Sequence, residues 1–314
     1  MEIRSENPSP VRDSSPDETL TQHKPLRCIV KLGGAAITCK NELERINEES
    51  LVAVCHQLRE SMAPAKAAGG AAKILGMDWS RRPDSHIVSV SDEFDGRPLL
   101  DVDGSFIIVH GAGSFGHFQA SRSRVHKGGL HLPLVQAGFV ATRISIASAD
   151  VSQIVSALGA GFVPVLHGDA VLDHSQDCTI LSGDVIIRHL AKLLRPQYVV
   201  FLTDVLGVYD RPPADRNAIL VREIVVDEEG NWSIVRPPPE HLTRQAEVEI
   251  SVASHDTTGG METKIAEAVA IAKLGIDVYI TMAGTEHSLS ALRGVITTDW
   301  LGTVIRSTLK INMV

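Results

Sequence analysis

The sequence predicts an α/β protein: a mostly parallel central sheet sandwiched by helices in a three-layer α/β/α arrangement. Short aliphatic runs ending in glycine or aspartate alternate with longer amphipathic stretches, the pattern of a chain that crosses from strand to helix and back. Runs such as Cys28-Ile-Val-Lys-Leu32 and Phe106-Ile-Ile-Val-His110 are apolar almost throughout rather than alternating, as strands covered on both faces are. Aromatic residues make up 4% of the chain against 44% hydrophobic in all, which disfavours an aromatic-rich β-sandwich.

The elements follow in order. Residues 1–25 carry Ser, Pro, Asp and Glu without an apolar leader and read as a disordered tail. Cys28–Leu32 is the first strand and runs into a glycine turn. The 3.6-residue period over 47–59 predicts a helix with Leu51, Val54, Cys55 and Leu58 on one face. Over 61–105 the pattern breaks into Ala/Gly-rich and acidic stretches, a surface insertion. Phe106–His110 is the second strand, 134–158 has a helical period, and 162–167 is a third strand whose Pro164 marks an edge or a strand start. Residues 169–181 read as a hairpin or an irregular strand pair, Gly183–Leu194 as a helix, and Tyr198–Thr203 as a strand ending at Asp204. Residues 219–236 alternate as a hairpin turning at 227–231. Gly259-Gly260 opens a helix with Ile265, Val269, Ala272 and Ile276 on its apolar face, and Asp277–Met282 and Thr303–Ser307 are the last strands.

Sheets of this kind bind ligands beyond the carboxyl ends of their strands. The motifs at those ends divide the chain into an acceptor lobe, 26–182, and a nucleotide lobe, 183–314, sharing one sheet. The formal net charge of −8 provides no field to attract nucleic acid or an anionic membrane, so an anionic ligand must be held by local cations and amides. No apolar run approaches the roughly 20 residues that span a bilayer. Cys28, Cys39, Cys55 and Cys178 form no C-x-x-C pair and read as reduced thiols of a cytoplasmic protein.

Lys31-Leu-Gly-Gly-Ala35 sets a lysine and two glycines at a strand end, where amides can converge on an oxyanion. A plain turn with a solvated lysine has the same letters. His110-Gly-Ala-Gly-Ser-Phe-Gly-His117 is more specific: it follows a buried strand and precedes a helix N-terminus, where a phosphate is favoured. It lacks the G-K-[ST] ending of a Walker loop. Asp184 in Ser182-Gly-Asp184 is either a helix N-cap or a carboxylate that positions lysines. Thr203-Asp204 with Gly207-Val-Tyr209-Asp210 reads as a loop gripping a nucleotide or as an acidic turn. Gly260 and Lys264 complete the set, with a lysine one turn beyond a double glycine. Amide turns and lysines without a protein nucleophile suit phosphoryl transfer, whose catalysis is mostly positioning and charge stabilisation. No Ser-His-Asp order, zinc motif or protein-kinase H-R-D signature competes.

Together these segments resemble the amino acid kinase superfamily and, within it, the isopentenyl phosphate kinase family, from Arg27 to the C-terminus. Lys31 to Lys40, the loop closed by His117, Ser182-Gly-Asp184, Thr203 to Asp210 and Gly259 to Lys264 carry the resemblance, and Met77-Asp-Trp-Ser80 resembles the plant-type form. The resemblance implies ATP and Mg²⁺ as cofactors, the ion bridging ATP phosphates with no metal site of the protein's own. It implies isopentenyl phosphate as substrate in isoprenoid biosynthesis, and a homodimer. Lys31, Leu32, Gly33, Gly34, Ala35, Gly113, Asp204, Tyr209, Asp210, Gly260 and Lys264 would hold the nucleotide. Ala112, His117 and Gly183 would hold the acceptor phosphate, Lys40 would stabilise the transferring group, and Asp184 would orient the lysines. One departure stands out. Ser145 runs almost directly into Ala147-Ser-Ala-Asp150, where the family has a further strand and helix, on the order of 30 residues. Loss of that unit leaves an ATP-binding variant with impaired transfer, or a kinase for another small acceptor, as alternatives.

Overall fold

The computed structural model describes residues 25–39, 41–63, 105–124, 127, 151–173, 177–238 and 260–311. Among them the chain runs β1 (Cys28–Leu32), α1 (Gly34–Ile37), α2 (Glu48–Met62), β2 (Phe106–His110), α3 (Gly113–Ser123) and α4 (Val151–Gly159). It continues through β3 (Val165–His167), β4 (Asp169–Asp173), β5 (Asp177–Leu181), α5 (Gly183–Leu194), β6 (Tyr198–Thr203), β7 (Val208–Tyr209) and β8 (Leu220–Val221). Next come β9 (Glu223–Val226), β10 (Trp232–Arg236), α6 (Gly260–Ala272), β11 (Asp277–Met282), α7 (Glu286–Leu292), β12 (Thr303–Ser307) and α8 (Thr308–Ile311).

Eight strands form one sheet in the order β10-β9-β12-β11-β6-β1-β2-β3. The run from β11 through β6, β1 and β2 to β3 is parallel throughout, while β12 lies antiparallel to β11, and β10 to β9. Successive side chains of a strand point to opposite faces, and the two faces build two cores. Ile29, Ile107, Val199, Phe201, Val278 and Ile280 pack against α4, α5 and α6. Val30, Phe106, Val200, Leu202 and Tyr279 pack against α2 and α7. A fully buried Ile or Phe of this kind contributes roughly 1.5–3 kcal/mol.

The central strands hold the bounds read from their apolar runs. β3 is shorter than the expected 162–167. It is the end strand of the sheet, Phe162 and Val165 are 67% and 59% exposed, and Pro164, lacking an N–H, joins only by accepting the Ile108 amide at 2.9 Å. α2 is capped by Asn47, whose side chain accepts the Ser50 amide at 3.2 Å. Its buried stripe is Val54, Leu58, Ser61 and Met62, so Cys55, expected on the apolar face, is instead exposed on the flank of that stripe. The hairpin expected over 219–236 begins at Glu223, because Leu220–Val221 pairs with Val208–Tyr209. β4 and β5 form the expected antiparallel pair. Helices α1, α7 and α8 were not anticipated. Most of the expected insertion (64–104), the part of the expected 134–158 helix before α4 (134–150) and the tail (1–24) lie outside the described residues. No helix among the described residues is long and apolar enough to cross a membrane.

Candidate active site

The parallel register makes β11, β6, β1 and β2 end level: Leu32 lies opposite both Leu202 and His110, and Leu202 opposite Thr281. Each chain leaving the sheet is tied to its neighbour. The Gly33 amide donates to Leu202 O (2.8 Å), the Gly111 amide to Leu32 O (3.0 Å), and the Ala283 amide to Thr203 O (2.9 Å). The loops after three strands therefore sit on one edge.

Two of these loops touch through bare backbone. A Cβ on Gly34 would lie 2.5 Å from Gly113 Cα and 2.6 Å from Gly113 N, closer than any side chain allows. Gly113 has φ +55°, in the left-handed region where glycine is favoured, and it opens α3. The Lys31 turn and the His110–His117 loop thus meet with no side chain between them.

Beside this contact lies a buried charge cluster. Asp184, 2% exposed, stands in the first turn of α5. Its Oδ1 pairs with the Lys31 ammonium, and its Oδ2 lies 3.5 Å from that of Lys264. Ser182 is the N-cap of that helix, its hydroxyl accepting the Asp184 amide at 3.2 Å. The N-cap is thus Ser182 rather than Asp184, and Asp184 pairs with two lysines. Burial pushes its pKa up, but Lys264 and Lys31 together outweigh burial and hold the carboxyl below the usual carboxylate range. Lys264 also lies over the Phe201 ring, 5.8 Å from its centroid. One turn on, Arg188 of α5 pairs with Glu267 of α6 at 2.6 Å, a second rung between the same helices. Two ammoniums around one carboxylate leave an excess positive charge at a helix N-terminus, a place suited to an anion. Gly183 adjoins it, its Cβ direction 3.4 Å from Lys31 Cε.

The loop after β6 holds Asp204, exposed, and Tyr209, half-buried in β7, whose phenol burial pushes up. Asp210 is buried and bonded internally. Its carboxylate accepts the Ile219 amide at 2.7 Å and pairs with the Arg211 guanidinium at 3.0 Å. Those bonds brace the loop.

The structure thus brings Lys31, Gly33, Gly34, Gly113, Gly183, Asp184 and Lys264 together. Leu32 is buried at the end of β1, and Ala35 lies half-buried in α1. Ala112 is the N-cap of α3, His117 belongs to that helix, and Gly260 is the first residue of α6. Lys40 lies outside the described residues. Thr38 and Ser114, which bond the two glycine turns, were not singled out from sequence; the only signal was their place inside the motifs.

The chain matches the model of the amino acid kinase family over residues 131–282. It is 53% identical to the isopentenyl phosphate kinase of Arabidopsis thaliana, over 91% of this chain and 97% of that protein. It is 29% identical to that of Methanothermobacter thermautotrophicus, over 65% of this chain and 83% of that protein. The alignment with the plant protein runs over 327 positions, while 91% of 314 residues is about 286, so about 41 positions of the relative have no counterpart here. The departure expected after Ser145 lies outside the described residues. A crystal structure of an isopentenyl phosphate kinase superposes with a TM-score of 0.56 at 24% identity, over 89% of this chain and 100% of that one. The product complex of the Thermoplasma acidophilum enzyme gives 0.55 at 20%, with the same coverage. At such identities these structures speak for the fold.

Proposed function

The chain belongs to the isopentenyl phosphate kinase family, and from that premise we propose that it moves the γ-phosphoryl group of ATP onto isopentenyl phosphate. The bond from the γ-phosphorus to the β,γ-bridging oxygen breaks. A new one forms to a terminal oxygen of the acceptor phosphate, giving ADP and isopentenyl diphosphate. Near pH 7 a phosphate monoester, with its second pKa about 6, is already mostly dianionic, so no residue has to remove a proton.

The observation that carries this reading is the buried Lys31–Asp184–Lys264 cluster beside two glycine turns in backbone contact. Lys31 and Lys264 would hold the β- and γ-phosphates, and Asp184 would fix both ammoniums where charge builds on the transferring group. Gly33, Gly34, Gly113 and Gly260 would offer backbone, with Leu32 and Ala35 framing the turn and Asp204 and Tyr209 flanking the nucleotide. Asp210 would act by bracing that loop. Ala112, His117 and Gly183 would receive the acceptor phosphate, and Lys40 would meet the transferring group. The cluster carries excess positive charge, so it fits phosphate oxygens rather than direct ligation of a divalent ion. Mg²⁺ would accompany ATP on the nucleotide's own phosphates, supplying charge neutralisation.

The strands of 26–182 would bear the acceptor and those of 183–314 the nucleotide. We place the reaction in the cytoplasm, where the chain's four cysteines would stay reduced, and in a homodimer, which light scattering would test. A nucleotide binder without turnover is not favoured, since the plant relative, 53% identical, is itself an isopentenyl phosphate kinase. The test is incubation with MgATP and isopentenyl phosphate, with products identified by mass. Isopentenyl diphosphate and ADP in equal amounts support the proposal; ATP binding without product, or transfer only to acetylglutamate, carbamate or UMP, refutes it.

A further inference from the structure

We propose that Thr38 and Ser114 are positioning residues that set the gap between the donor and acceptor turns, an inference that rests on the kinase reading above. Thr38 follows α1, 6% exposed, and its hydroxyl works in both directions. It donates to Gly34 O at 2.9 Å and accepts the Ser114 amide at 3.1 Å. That amide is in the first turn of α3, where helix geometry leaves N–H groups without an intrahelical partner. One hydroxyl therefore joins the Lys31 turn to the start of the helix that carries His117.

Ser114, 3% exposed, extends the link. Its hydroxyl accepts the Arg45 amide at 3.2 Å and donates to Arg45 O at 3.3 Å. Arg45 O also accepts the Cys39 amide at 2.9 Å, and Thr38 forms an isolated antiparallel bridge with Ile46. The base of the 38–46 segment is thereby closed and fastened to α3. Space is reserved for the arrangement, because a Cβ on Gly113 would come 2.4 Å from the Thr38 hydroxyl. Sliding one turn against the other breaks the buried Ser114–Thr38 bond together with the part-buried Ser114–Arg45 bonds. A misplacement of about 1 Å between reacting groups costs on the order of 100-fold in rate.

The test compares Thr38→Val, which keeps shape and loses both bonds, with Thr38→Ser, which keeps them. Tyr198→Phe serves as a stability control. It removes a buried hydroxyl that donates to Leu292 O at 2.8 Å, at the start of β6 and so at the opposite end of the sheet. In steady-state assays Thr38→Val lowers kcat about 10- to 100-fold with both KM values within about threefold. Thr38→Ser returns kcat to within about threefold of wild type, and Tyr198→Phe leaves it unchanged. A Thr38→Val protein with kcat within twofold of wild type, or a Thr38→Ser protein as slow as Thr38→Val, overturns the proposal. Amide exchange by mass spectrometry gives a readout independent of turnover. Thr38→Val speeds exchange in peptides covering 34–38 and 113–118 and leaves the Cys28–Leu32 strand protected. Should wild-type protein not phosphorylate isopentenyl phosphate, the functional reading fails, and unchanged exchange in those two peptides separately overturns the clasp.

Discussion

Replacing Asp184 with asparagine preserves shape and removes one negative charge from between two buried lysines. In wild type the carboxylate pairs with Lys31 through one oxygen and lies 3.5 Å from Lys264 through the other, and both lysine side chains are about a tenth exposed (9% and 12%). Removing one partner of a buried ion pair costs about 3–5 kcal/mol. The asparagine carbonyl can still accept one hydrogen bond, which puts the expectation at the lower end, about 3 kcal/mol, or roughly 6 °C in Tm for a chain of this size. The pH dependence has a definite sign. The fold lowers the pKa of Asp184 from 3.8, so its contribution is fully present above that value and is lost as pH falls through the lower, folded one. The gap in Tm between wild type and Asp184→Asn is therefore flat from pH 5 to 8 and closes only below about pH 4. Saturating ATP narrows the gap at neutral pH, because phosphate oxygens replace the missing charge. kcat falls about 100-fold as the ammoniums lose their fixed positions. Thermal melts across pH, with and without ATP, beside steady-state kinetics, make the check. Unchanged Tm at pH 7 together with kcat within twofold of wild type would refute the reasoning.

Three further perturbations test neighbouring parts. Lys31→Met removes a phosphate-directed charge from the end of β1, and kcat/KM for ATP is expected to fall on the order of 100- to 1,000-fold, measured by ADP release. Gly34→Ala puts a methyl group 2.5 Å from Gly113 Cα; phosphoryl transfer drops at least about tenfold as the turns separate, whereas Gly275→Ala, strained by its φ of +80° but with nothing within 4 Å, lowers Tm and leaves kcat unchanged. Glu267 has its carboxyl pKa raised from 4.5, with burial the main cause, so its ionisation costs stability as pH rises. Glu267→Gln, a mimic of the protonated form, should match wild type in Tm at pH 4 and melt higher at pH 8; a mutant that melts lower at pH 8 contradicts this.

Much of the fold was legible because the central strands are covered on both faces and so read as unbroken apolar runs. Cys28–Leu32, Phe106–His110, Tyr198–Thr203 and Asp277–Met282 all carry that signal. Helix α7 carries none, since it is a seven-residue segment with Ser288 and Ser290 inside it, specified by its Thr285 cap and by packing on α2. The candidate site was legible where residue type carries the chemistry: Lys31, Gly33 and Gly34 at the end of β1, and Asp184 and Lys264 at the starts of α5 and α6. It was illegible where a role depends on a partner far along the chain. The bond from Ser114 to Thr38 spans 76 residues. Nearer partners can be as hidden: the letters around Asp210 do not show that it bonds Ile219, nine residues on, and its neighbour Arg211.

The backbone contact between Gly34 and Gly113 bears on how such an enzyme could change its acceptor. Where two peptide turns abut with no room for a methyl group, there is no side chain to vary, and mutation at the meeting point can only break it. Selectivity for the acceptor's tail must then be tuned from walls farther out. The phosphate-handling centre stays fixed while the periphery diversifies, and chains of this architecture can acquire new acceptors without rebuilding the step they share.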